Sequence, residues 1–270
     1  MSGAVANDIG LVPIPALDDN YIWLLSDPTG RHAAVVDPGD ADPVEAALGE
    51  RGLELTAVLV THHHGDHIGG VADLAARRPG LFVCGPRERR IVGLTRVVGE
   101  GESVDVPGLP ITLRVLEIPG HTRSHIAYHA QDLDDGVLFC GDTLFGAGCG
   151  RVFDGTCEQL AASLARIAAL PAATQCFCAH EYTLANLGFA AWVEPDNAAR
   201  QARHADAEQC RAAGRPTVPS TLGLELATNP FLRVREPSVR AAVERAAGRV
   251  LHSDADVFCA LRRWKDTEYD

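Results

Sequence analysis

One stretch, THHHGDHIGG at positions 61–70, limits this chain more than any other. Four histidines and an aspartate fall within His62 to His67, between the apolar run AVLV and the glycines Gly69 and Gly70. Burying so many imidazoles without a shared partner leaves polar groups unpaired, which is costly. The cluster therefore predicts a metal site where a buried strand ends at a sheet edge. In an extended or turning segment His62 and His64 point one way and His63 the other. Asp66 and His67 follow on the next turn. Two separate ligand pairs predict two ions rather than one, and Gly65, Gly69 and Gly70 let the backbone bend tightly.

Two residues do not complete a coordination sphere. Three isolated candidates each close a strand-like run: His121 in IPGHTRSH, Asp142 in LFCGDTLF and His180 in FCAHEYT. Loops at one sheet edge would bring them together. The two oxygens of Asp142 suit it to bridge two ions. His63, His125 and His129 read as structural. Asp37, in VVDPGD, is either the partner that orients a ligand histidine or a turn aspartate.

Short apolar runs punctuated by Gly, Pro and Asp fill the first 180 residues. YIWLLSD, HAAVVDPG, LTAVLVTH, LFVCG, ITLRVLEIPG, HIAYHAQD, GVLFCGDTLF and QCFCAHE are predicted strands. DPVEAALGERG is a predicted helix with Asp42 at its N-cap and Gly52 near its end, and GGVADLAARRPG and TCEQLAASLARIAALP are predicted helices too. Beyond residue 181 the pattern turns helical, in YTLANLGFAAWVEP, DNAARQARHADAEQCRAAG, SVRAAVERAAGRV and SDADVFCALRRWKD. Between them RPTVPSTLGLELATNPFLRV reads as an irregular connector. The expected organisation is a mixed α/β domain over 1–180 and a smaller helical domain over 181–270.

The net charge of −12 speaks against a nucleic-acid binder. It is uneven: residues 1–180 carry −11 and residues 181–270 only −1, so a basic pocket for an anionic substrate is expected in the second part. No apolar run is long enough to span a membrane. The start, MSGAVANDIGLVPIP, lacks a basic, then continuously apolar leader, so a cytoplasmic protein is expected. The eight cysteines show no framework spacing and are expected to be reduced, mostly buried thiols.

Within DADVFCALRRWKD a helix aligns Val257, Leu261 and Trp264 in one apolar stripe, with Phe258, Arg262 and Lys265 beside it. Two cations bordering a packed face suit the grip of a carboxylate, and Lys265 is the only lysine beside 23 arginines. The same two cations also suit a helix C-terminus electrostatically.

THHHGDH with His121, Asp142 and His180 downstream resembles the metallo-β-lactamase superfamily. GAGCGRVFDGT, AHEYTLANLGFA, NPFLRV and LRRWKD are similar to its hydroxyacylglutathione hydrolase (glyoxalase II) family, along essentially the whole chain. The resemblance implies an α/β fold, an αββα sandwich with a dinuclear site at one sheet edge, followed by the smaller C-terminal helical domain. It implies His62, His64 and His121 on a first metal, Asp66, His67 and His180 on a second, and Asp142 bridging. It implies that Arg262 and Lys265 hold the glutathione carboxylate, that Tyr182 contacts glutathione, and that Arg151 makes a backbone contact. Phe153 stands where some members have a tyrosine, so a phenol hydrogen bond is missing there.

The implied reaction is hydrolysis of S-D-lactoylglutathione and related 2-hydroxyacyl thioesters to glutathione and the acid, the second step of methylglyoxal detoxification. Two divalent ions, zinc first with iron or manganese as alternatives, would exceed the charge of Asp66 and Asp142, the catalytic carboxylates. Such a centre supplies a bridging hydroxide at neutral pH and stabilises the oxyanion. The expected partner is this small thioester, with neither nucleic acid nor membrane, acting on a monomer. The principal rival is a mononuclear iron persulfide dioxygenase of the same superfamily. A tRNA-processing nuclease fits the acidic balance poorly, a secreted β-lactamase lacks its leader, and a non-catalytic metal binder leaves the complete ligand sets unexplained.

Overall fold

The computed structural model describes residues 9–269. Residues 1–8, on which the leader reading partly rests, lie outside them. The chain forms two compact units, one of residues 1–117 and 126–141, the other of residues 118–125 and 142–270.

The first unit opens with β1 (Gly10–Ala16), β2 (Asn20–Ser26) and β3 (His32–Val36). Next come α1 (Ala41–Arg51), β4 (Glu54–Leu59), α2 (Gly65–Ile68), α3 (Val71–Arg77), β5 (Phe82–Pro86) and β6 (Arg96–Val98). These six strands form one sheet in the order β1-β2-β3-β4-β5-β6, antiparallel at β1-β2-β3 and parallel from β3 onward. The parallel strands explain the near-continuous apolar runs in β3 and β4, because such strands are covered on both faces. Ile22, Leu24, Val35, Val58 and Val83 pack with Val44 and Leu48 of α1 and Leu74 of α3 in one core.

β1 was not expected, because GLVPIPA carries two prolines. It lies at the sheet edge, where a strand tolerates residues that lack an amide hydrogen. The helix expected after β3 is present, but Asp40 caps it rather than Asp42. The Asp40 carboxylate accepts the Asp42 amide at 3.0 Å, and Gly52 closes the helix at φ 66°. The unit continues with β7 (Ser103–Asp105), β8 (Thr112–Glu117), β9 (Ile126–Ala130) and β10 (Val137–Gly141), each antiparallel to the next. The buried Tyr128 of β9 donates to the Val60 and Cys84 carbonyls, tying this meander to the ends of β4 and β5.

The second unit holds the hairpin β11 (Leu144–Phe145) and β12 (Gly148–Cys149), then α4 (Cys157–Ile167), β13 (Gln175–Cys178) and α5 (Thr183–Val193). After them come α6 (Ala198–Ala212), β14 (Ser220–Thr221), α7 (Leu222–Thr228), α8 (Pro237–Ala247) and α9 (Asp254–Trp264). The segment expected to be an irregular connector contains β14, α7 and a 3₁₀ turn over Pro230–Leu232. Thr221 caps α7 by accepting the Leu224 amide, and both prolines of RPTVPS precede the helix rather than interrupt it.

A second departure concerns the cysteines. Six are free, five of these buried, but Cys157 and Cys259 form a disulfide between α4 and α9. Their Cα atoms are 5.7 Å apart although 102 positions separate them in sequence, a pairing that no local spacing reveals. Among the described residues no helix is long and apolar enough to cross a membrane.

Candidate metal centre

In the first unit the histidine cluster follows β4, and its geometry starts from register. β3 and β4 run parallel and end together at Val36 and Leu59. Asp37 therefore emerges beside Thr61. Its φ of 52° is unusual for a residue with a side chain, and it turns the carboxylate back toward the neighbouring strand end. One Asp37 oxygen accepts the Thr61 amide at 2.7 Å; the other accepts the Thr61 hydroxyl at 2.7 Å and faces His67 Nδ1 at 3.0 Å. Of the two readings open for Asp37, this geometry makes it the orienting partner of a histidine.

These contacts bear on which ring nitrogen of each histidine holds the proton. With Nδ1–H of His67 donated to Asp37, Nε2 carries the lone pair. The Thr61 hydroxyl donates to Asp37 and so accepts from His62 Nδ1 at 3.1 Å, which leaves His62 Nε2 as acceptor too. His62 Nε2 lies 3.1 Å from His64 Nδ1, and His67 Nε2 lies 3.4 Å from Asp66 Oδ2, so the expected pairs form. Asn20 donates to the same Asp66 oxygen at 3.0 Å and holds the carboxylate in place. The loops are close-packed: a Cβ on Gly39 would lie 2.0 Å from the Asp66 carbonyl, which only glycine permits.

The second unit carries the other three candidates. His121 Nδ1 donates to the Arg151 carbonyl at 2.8 Å, so its Nε2 carries the lone pair. That nitrogen is 3.4 Å from one oxygen of Asp142, and His180 Nε2 is 3.4 Å from the other. A carboxylate with each oxygen set toward a different histidine, at more than hydrogen-bond contact, has the donor chemistry of a bridge between two ions. His125, read from sequence as structural, accepts the Asp142 amide at 3.1 Å through Nε2 and so positions that residue. A Cβ on Gly150 would meet the Asp142 carbonyl at 2.0 Å and His121 Nδ1 at 2.9 Å, so this glycine is what lets the two approach.

The expected substrate residues lie in the same unit. Tyr182 stacks on His180 with centroids 4.7 Å apart, and the exposed Phe153 meets His121 edge-on at 5.2 Å. Arg262 is buried: it donates to the Cys149 carbonyl at 3.0 Å and pairs with Asp266 at 2.8 Å. Burial works against its charge, but neighbouring Cys149 and Asp266 prevail and hold its pKa above the ordinary arginine value. Lys265, also buried, sits over the Phe189 and Tyr269 rings at 6.0 and 5.7 Å. Asp266 escaped the sequence reading. It pairs with Arg262 and lies 3.9 Å from Arg151 Nε, and its one signal was the i, i+4 spacing from Arg262. Burial pushes the Cys149 thiol up to about 11 and the Cys178 thiol to about 12, so neither is a thiolate nucleophile at neutral pH.

Residues 17–180 match the family described as Metallo-beta-lactamase superfamily, and residues 181–268 match Hydroxyacylglutathione hydrolase C-terminus. A protein of Xanthomonas euvesicatoria named hydroxyacylglutathione hydrolase is 54% identical over 95% of this chain and 98% of its own length. A protein of the same name from Alkalilimnicola ehrlichii is 56% identical, with the same coverage of both chains. Among solved structures, the B3 metallo-beta-lactamase BLEG-1 superposes with a TM-score of 0.61 at 23% identity, covering 83% of this chain and 99% of its own. That likeness shows the fold. The expected α/β fold of this superfamily with a C-terminal helical region is thus present, and each unit carries histidine and aspartate donors suited to divalent metal.

Proposed function

Because the chain belongs to the hydroxyacylglutathione hydrolase family of the metallo-β-lactamase superfamily, we propose that it hydrolyses S-2-hydroxyacylglutathione thioesters, S-D-lactoylglutathione first among them. The observation that carries this reading is the relative 54% identical across 98% of its own length, with the C-terminal family match over 181–268. The two-domain division at 180/181 and a monomeric, cytoplasmic protein belong to the same proposal.

His62, His64 and His121 hold one divalent ion in this reading, Asp66, His67 and His180 hold the second, and Asp142 serves both. Zinc is the first choice for an N/O donor set, with iron or manganese as alternatives. When bound, the ions supply hydroxide at neutral pH and an electrophilic contact for the thioester carbonyl. The chain does the rest. Asp37 and the Arg151 carbonyl fix the tautomers of His67 and His121. Asn20 keeps the Asp66 carboxylate aimed, and His125 anchors Asp142 through its amide. Arg262 and Lys265 provide the positive ground for the glutathione carboxylates, the backbone at Arg151 adds a contact, and Tyr182 lines the approach beside His180. Phe153 contributes an apolar edge without a hydroxyl. Fixing the thioester in this way converts binding into orientation, which is worth several kcal/mol in well-aligned reactions.

The test is loss of S-D-lactoylglutathione absorbance with purified protein whose metal content is counted in the same sample. Turnover with two metals per chain, abolished in Asp142→Ala, is the expected result. A fully metallated, folded protein without turnover would sink the reading. A single iron with oxygen uptake on glutathione persulfide would move it to the dioxygenase.

A further inference from the structure

The Cys157–Cys259 bond, like the free thiols, has no part in the proposed hydrolysis. It joins the first residue of α4 to the middle of α9, the helix that carries Arg262 and leads into Lys265. Both cysteines are half-buried, whereas five of the six free thiols are buried. The disulfide thus stands where a solute thiol can reach it. We propose that it is a site of thiol–disulfide exchange with glutathione, and that its opening loosens α9 and weakens substrate binding. The exchange stands on the disulfide itself; the choice of thiol and the effect on binding rest on the proposed function, whose reaction releases glutathione.

The two sulfurs are not equivalent. Cys157 begins α4 directly after Thr156, whose hydroxyl accepts the Gln159 amide while the Gln159 side chain accepts the Thr156 amide. The helix therefore starts cleanly at Cys157, and the positive end of its dipole favours a Cys157 thiolate. The sulfur that leaves as the better-stabilised thiolate is Cys157, so attack falls on Cys259. The exposed Arg263 lies one turn beyond Cys259, at i+4, a cation suited to an approaching anionic thiol.

The chemistry balances without another reagent. A glutathione thiolate attacks Cys259 Sγ; the protein S–S bond breaks, and its electron pair leaves on Cys157 Sγ, which takes a proton from water. Cys259 then carries glutathione as a mixed disulfide. A second glutathione thiolate attacks the glutathione sulfur of that bond, releasing glutathione disulfide and the Cys259 thiol. Two thiols are oxidised to one disulfide, and one protein disulfide is reduced to two thiols. Excess glutathione disulfide reverses both steps.

The packing around the bond gives it leverage. Beyond the cross-link α4 and α9 face a cleft of about 540 Å³, lined on α4 by Ala161, Ala162 and Ala165 and on α9 by Ala255 and Phe258. α4 and α9 also touch each other directly, and the covalent bond adds to that contact in fixing where α9 lies. Arg262 follows Cys259 by three residues, and its grip on the Cys149 carbonyl depends on where α9 lies.

The full-length protein, purified without reductant, is denatured and alkylated before and after incubation with millimolar glutathione. Six alkylated thiols before and eight after are expected, with a transient adduct of one glutathione mapping to Cys259. Eight before treatment, six after it, or an adduct on Cys157 instead would overturn the assignment. In the same samples, KM for S-D-lactoylglutathione is expected to rise severalfold on reduction with kcat nearly unchanged, and to return on reoxidation with glutathione disulfide. The double variant Cys157→Ser/Cys259→Ser should show the raised KM and no redox response. Equal KM in both states would overturn the coupling to binding. Absence of turnover in either state would count against the hydrolase reading alone, because the thiol count and the adduct map still decide the exchange.

Discussion

Replacing Glu225 by alanine is expected to come close to unfolding the second unit. This carboxylate is fully buried in α7. One oxygen accepts from Arg203 Nη2 and from the Ser220 hydroxyl, each at 2.5 Å. The other accepts the Ala147 amide at 2.9 Å and the Asn229 side-chain amide at 3.1 Å. Removal strands a guanidinium that is itself buried, a loss of about 3–5 kcal/mol for a broken buried pair. The orphaned Ala147 amide adds about 1–3 kcal/mol. The groups form one network, so the two figures do not simply sum. Even the lower figure is a large share of the roughly 5–15 kcal/mol that holds a typical domain folded. Urea unfolding followed by circular dichroism measures this directly. Glu225→Gln, which keeps the shape but not the charge, should fall between alanine and wild type. A Glu225→Ala unfolding free energy within about 1 kcal/mol of wild type would refute the reasoning, since that is the size of an ordinary substitution. The network also reaches the centre. Ala147 turns the β11–β12 hairpin at φ 55°, and that hairpin leads through Gly150 to the carbonyl that holds His121. Glu225→Gln should therefore lose metal at chelator concentrations that wild type withstands.

Three further outcomes follow from single contacts. Gly150→Ala drives a Cβ against the Asp142 carbonyl and His121; it should leave the circular dichroism spectrum intact but bring the protein through purification depleted of metal. Asp37→Ala frees the His67 ring and should weaken metal binding or turnover by about 10–100-fold, measured by competition with a chelator. Burial of Glu194 favours its neutral form, but Arg233 at 2.7 Å and Ser238 at 2.8 Å outweigh it and hold the carboxyl below the usual range. The sign follows: this stabilisation is present above the unfolded glutamate value and fades as pH falls through the lowered folded one. Glu194→Gln should therefore be less stable than wild type at neutral pH, with the gap closing in acid; a gap independent of pH would count against the ion pair.

How much was legible depended on how far apart in sequence the partners lie. His62, His64, Asp66 and His67 stand in one short run, so their crowding announced a metal without outside help. His121, Asp142 and His180 each stand alone, and strand ends marked them only as candidates until the family resemblance tied them together. Arg203 with Glu225, and Cys157 with Cys259, meet only because helices pack; neither pair leaves a periodic trace. The helix α7 was hidden by flanking prolines, which mark boundaries as readily as disorder. The edge strand β1 was hidden for the same reason, since proline excludes a central strand and not an outer one. Asp40 lost its cap assignment to Asp42 because two acids two residues apart offer equivalent caps to a pattern read without backbone angles.

Lys265 has a practical consequence. As the sole lysine, it gives the folded protein a single side-chain amine, enclosed by Phe189 and Tyr269 with little surface of its own. Acylating or reductively methylating reagents therefore meet one internal address besides the N-terminal amine, and isotopic methyl tags would yield one resonance from each. Binding of glutathione at the proposed site can then be followed spectroscopically without engineering a probe into the chain.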